Sequence, residues 1–90
     1  MAVYLISYDL RAPGRDYEPL YKAIKATTHC HAMDSAWLVD VNQTPIQLRE
    51  AVESWVDAND VVLVTRFRSP DWAAYNLACG KWLSSPERAW

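Results

Sequence analysis

Val3-Tyr4-Leu5-Ile6-Ser7-Tyr8-Asp9 decides the fold. Val3, Leu5 and Ser7 share one side of an extended chain, and Tyr4, Ile6 and Tyr8 share the other. Both sides are largely apolar, which suits a strand inside a sheet better than one at its edge. Leu10 to Arg15 then carries Pro13-Gly14 turn chemistry. Beyond it Asp16 can cap a helix that tolerates Pro19 in its first turn, and Tyr17, Leu20, Tyr21, Ile24 and Thr28 recur on one face.

A period of two returns at His29 to Met33 and at Ala36 to Val41, interrupted near Asp34-Ser35. This reads as two short strands with a tight bend or as one strongly bent strand. Thr44-Pro45-Ile46-Gln47 is a helix start, with Thr44 as cap, Pro45 first and Gln47 third, where it completes a capping box. The helix is expected to run to about Val56, with Leu48, Ala51, Val52 and Trp55 inward. Asp57 to Asp60 is a turn and Val61 to Phe67 a strand, expected to lie antiparallel beside the first.

Strand, helix, strand, strand, helix, strand is the split βαβ order, so the expected fold is an α+β, ferredoxin-like βαββαβ sandwich. Residues 1–90 are taken as one domain, because half of so short a chain cannot bury a core of its own. Two helices cover one sheet face, yet several strands are apolar on both. The surplus predicts a homodimer or coverage by residues 69–90, a packed or partner-exchanged tail bearing Trp72, Trp82 and Trp90. In that tail Pro70 is expected to start a short helix and Gly80 to break it.

Eleven acidic residues against nine Lys and Arg leave a formal charge of −2, so any contact with RNA or DNA must be local. No apolar run approaches the roughly 20 residues that cross a bilayer, and the N-terminus lacks a signal-peptide pattern. The expectation is a cytoplasmic protein with no membrane partner. Cys30 and Cys79, the only cysteines, are then read as reduced, with one disulfide as the alternative.

In the expected topology Asp9, the Asp34-Ser35 corner and Asp60 meet at one end of the sheet. Convergent carboxylates suit Mg²⁺ or Mn²⁺, and Asp9 is the favoured ligand because it ends a central strand. In a two-fold dimer a second Asp9 can complete a shared site. The structural alternative makes Asp60 a turn residue, Asp34 a hairpin residue and Asp9 a strand end. Arg11 and Arg15 flank the Pro-Gly turn and are candidates to hold phosphate, or else solvated loop residues. His31 is a candidate proton carrier. A zinc site from His29, Cys30, His31 and Asp34 is disfavoured, because neighbours on a strand face apart.

The string YLISYDL at Tyr4 to Leu10, then Pro13-Gly14, Asp16-Tyr17, Asp34 to Val39 and Val61 to Val64, resembles the small SinR-like family. That family is distantly similar to the CRISPR-associated adaptation nucleases of subtype 2, and virulence-associated ribonucleases give similar support for the fold. The helix-turn-helix repressor of the same name is not meant. The resemblance implies a ferredoxin-like homodimer and a metal-dependent phosphodiesterase acting on RNA or DNA. Asp9 would be its catalytic metal ligand, Ser35 would match the serine after the second strand, and paired Asp9 carboxylates would hold Mg²⁺ that activates water. The tryptophan-rich tail departs from the group's extended C-terminal strand. The alternative is a non-catalytic dimer that binds protein or nucleic acid through its sheet face and aromatic tail, or a structural protein.

Overall fold

The computed structural model describes residues 1–69 and 71–88. β1 runs Ala2–Asp9, α1 Glu18–Lys25, β2 Thr28–Met33, β3 Ala36–Val41, α2 Pro45–Glu53, β4 Val61–Phe67 and α3 Gly80–Leu83. The result is a small α+β structure whose four-stranded sheet has the order β2-β3-β1-β4, with every neighbouring pair antiparallel. β1 and β2 both oppose β3, so they run parallel to each other. This brings the end of β1, the β2–β3 turn and the start of β4 to one end of the sheet.

β1 sits between β3 and β4, as its two apolar sides require. Tyr4, Ile6 and Tyr8 face the helices and share a core with Leu20, Ile24, Leu48 and Val52. Each fully buried aliphatic side chain contributes about 1.5–3 kcal/mol, which holds both helices on this face. α2 begins with the complete capping box: Gln47 N–H donates to Thr44 Oγ1 at 3.2 Å and Thr44 N–H to Gln47 Oε1 at 3.0 Å. It ends at Glu53 rather than Val56, with Ser54 as cap. At α1 the cap position is Tyr17, not Asp16, although Asp16 Oδ1 still accepts from Glu18 N–H at 3.0 Å. Thr28, expected on the α1 face, opens β2 instead.

The opposite sheet face is covered by the chain's own tail. Val3 and Leu38 are buried against Cys79 and Leu83, with Leu5, Phe67, Trp72 and Trp82 packed around them. Residues 71–78 form bends and turns rather than a helix, and Asn76 adopts φ 56°, a left-handed value that Asn tolerates. Gly80 was expected to break a helix and instead starts the single turn of α3. Burial of Leu83 beneath that turn supplies what glycine's low propensity does not. Pro70 and Trp90 lie outside the described residues.

Two links fasten the tail. Cys30 on β2 and Cys79 are joined as a disulfide with Cα atoms 6.0 Å apart, which corrects the reduced reading. Closing a loop of 49 residues restricts the unfolded chain by about 4 kcal/mol on the chain-entropy account. Such bonds persist in oxidising compartments, so this one pulls against the cytoplasmic expectation. The second link is a buried ion pair, Arg88 Nη1 to Asp40 Oδ2 at 3.6 Å, with the Arg88 guanidinium 4.2 Å from the centre of the Trp82 ring. No helix among the described residues is long and apolar enough to cross a membrane.

Candidate functional site

β1, the β2–β3 turn and β4 do bring Asp9, Ser35 and Asp60 to one end of the sheet. Asp9 stands opposite Val61, and Tyr8 N–H donates to the Ser35 carbonyl at 3.0 Å. Their chemistry differs from a carboxylate cluster. Asp9 is exposed, and its Oδ2 takes Arg11 Nε at 2.9 Å and Nη2 at 2.8 Å. Arg15 Nη1 lies 3.7 Å from Asp57 Oδ1. Both loop arginines therefore face carboxylates of their own chain.

Asp60 is a loop anchor. Its Oδ1 accepts from Arg11 N–H at 2.6 Å, and its Oδ2 from Tyr17 Oη at 2.6 Å and Asp57 N–H at 2.7 Å. Partial desolvation pushes the Asp60 carboxyl up, but these donors and the Arg15 charge outweigh it and hold the group below its ordinary value. The same bond raises Tyr17, after desolvation, because ionising the phenol would set two anions together.

These residues do not fit a divalent ion within one chain. Asp60 has both oxygens occupied, and Asp9 offers one oxygen beside a guanidinium. Among the described residues no group of three or more His, Cys, Asp or Glu is placed to hold a metal. The zinc alternative fails for a further reason, since Cys30 is in the disulfide. His29 instead places Nδ1 2.8 Å from the Thr27 carbonyl oxygen.

Beside this end, on the helix-covered face, is an aromatic cluster that sequence reasoning did not assemble. His31 lies on Trp37 with centroids 3.9 Å apart and planes 2° from parallel. Trp37 Nε1 donates to Tyr8 Oη at 2.9 Å, and Tyr21 stacks on Trp37 at 6.5 Å. Burial, the largest influence, pushes the Tyr8 phenol up, so it stays neutral; the Trp37 donor opposes that and Tyr21 adds to it. Asp34 and Lys25 stand at the rim. Helical spacing put Tyr21 on the face laid on the sheet, and strand alternation put Tyr8 on one side of β1 with Tyr4 and Ile6 without deciding which side meets the helices; His31 was hidden by a strand irregularity.

No family model matches the chain, and no solved structure matches it.

Proposed function

We propose that this chain is a ferredoxin-like, non-catalytic binding domain that works as a homodimer joined along β4. The strand order read from the other edge, 4-1-3-2, together with the βαββαβ element order supports the ferredoxin-like assignment. Kinship with the SinR-like family and the adaptation nucleases rests on the sequence strings alone.

The observation that carries the dimer is the β4 edge. Seven residues, Val61–Phe67, pair with β1 on one side only and present a row of backbone donors and acceptors on the other. Leu63 is 60% exposed on one face of that edge, and Ile46 of α2 is 64% exposed nearby. The sheet's other edge, β2, is interrupted by a register shift between His31 and Met33, a common way to blunt an edge. An antiparallel pair of identical strands is self-complementary about a two-fold axis, so a second copy fits without further adaptation.

The phosphodiesterase reading is favoured by one observation, the convergence of Asp9, Ser35, Arg11 and Asp60. A β4-edge dimer separates the two Asp9 backbones by three strand spacings, at least about 14 Å, with both β4 strands between them. That is too far for one Mg²⁺ or Mn²⁺ with ligands at about 2.1 Å. Shared-metal hydrolysis of RNA or DNA therefore needs another interface.

Amide hydrogen exchange at low and high protein concentration tests the proposal. Outward amides of β4 become protected on concentration if β4 pairs with β4. Exchange independent of concentration, or Mn²⁺-dependent RNA or DNA cleavage lost in Asp9→Ala, overturns it.

A further inference from the structure

Between α1 and the β2–β3 turn lies a cleft of about 190 Å³ lined by Tyr8, Tyr21, Lys25, His31, Asp34 and Trp37. Its floor is rigid. Trp37 and Tyr8 are buried, at 3% and 7% exposure, and joined by the indole-to-phenol hydrogen bond. His31 is exposed and lies flat over the indole, so its imidazole is the outer tier of a two-ring stack. Lys25 brings donors to the rim, and Asp34 brings acceptors.

The ligand must match both the flat ring and the mixed rim. An organic ammonium would be drawn to the aromatic faces and to Asp34 but repelled by Lys25 in the same small cleft. An aliphatic ligand would leave the charged rim groups and the Tyr8 hydroxyl without partners. A nucleobase has a π-face for stacking and an edge that carries donors and acceptors together. We propose that this cleft binds a nucleobase, stacked on His31 and held at its edge by Lys25 and Asp34. The base comes from a free nucleotide or from a single strand, whereas in a duplex both its faces are stacked and its pairing edge is engaged. This site is independent of the β4 interface, and a monomer retains it.

The test is a titration of the native, disulfide-bonded chain, followed by the Trp37 indole N–H resonance. The probes are adenosine monophosphate, a short mixed-sequence single strand, and the matching duplex. Binding by the mononucleotide identifies a nucleotide site, and binding by the strand alone identifies single-stranded nucleic acid. In either case His31→Ala weakens binding about tenfold or more, and Lys25→Ala also weakens it. His31 is exposed, so the variant folds, and an unchanged melting temperature verifies this. The proposal is overturned if neither ligand binds at millimolar concentration, if His31→Ala binds as tightly as the parent, or if the duplex binds as well as the strand.

Discussion

His31 stacks on Trp37 because the strand pairing slips between His31 and Met33: Met33 stands opposite Ala36, yet His31 stands opposite Trp37. A regular hairpin closed by Asp34-Ser35 would pair Ala32 with Trp37 and place His31 opposite Leu38. Leu38 faces the tail and Trp37 faces the helices. The extra residue therefore turns His31 to the helix face and Cys30 to the tail face, where it meets Cys79.

Deleting Ala32 removes the extra residue and leaves Met33 opposite Ala36, His31 opposite Trp37 and Cys30 opposite Leu38 in an unbulged hairpin, so both features are retained. The expected outcome is no titratable thiol in either the parent or the deletion variant, with the ring-current shift on His31 kept. A deletion variant with two titratable thiols contradicts the role given to the bulge.

Reduction of Cys30–Cys79 loosens the tail. Thermal unfolding with and without reductant is expected to show a loss of about 3–4 kcal/mol and greater binding of a hydrophobic dye, as Val3 and Leu38 lose their cover. Equal stability in both states would show that the bond does not fasten the tail.

Most of the architecture was legible from local chemistry. The capping box at Thr44 and Gln47, the two-sided apolar β1 and the turn before β4 each carry their signal within a few residues. What was not legible depends on register. A bulge leaves no mark in the alternation of residues 29–33, yet it decides which face receives His31 and Cys30. Asp9, Ser35 and Asp60 were placed at the right end of the sheet by topology, but the partners that occupy Asp60, Tyr17 and the Arg11 and Asp57 amides, come from loops whose paths no periodicity predicts. Trp72 and Trp82 were rightly expected to pack.

Asp60 and Tyr17 give stability a window in pH. The folded carboxyl of Asp60 is lowered, so its contribution is present above the ordinary value of 3.8 and is lost as pH falls through the folded value. Tyr17 is raised, so its contribution is present below 10.0 and is lost as pH rises through its folded value. Melting temperature against pH is expected to fall at both ends, and Tyr17→Phe flattens the alkaline limb. An unchanged alkaline limb in that variant contradicts the assignment.

Asp40 and Arg88 are both buried, each side chain 5% exposed. Arg88→Met leaves the Asp40 carboxylate without its counter-charge and is expected to cost about 3–5 kcal/mol, whereas the double change with Asp40→Leu recovers much of it. Urea unfolding of the two single variants and the double variant measures this coupling. By contrast Asp9→Ala removes an exposed pair with Arg11 and is expected to change stability by less than about 1 kcal/mol.

The β4-edge dimer is tested most directly by sedimentation equilibrium of the parent chain and Leu63→Lys over a micromolar to millimolar series. Leu63 is exposed in the single chain, so the lysine is tolerated there, while a two-fold interface brings two of them close together. A parent chain that reaches the dimer mass and a Leu63→Lys variant that stays monomeric is the predicted result. A parent that remains monomeric throughout, or a variant that dimerises equally well, contradicts the interface.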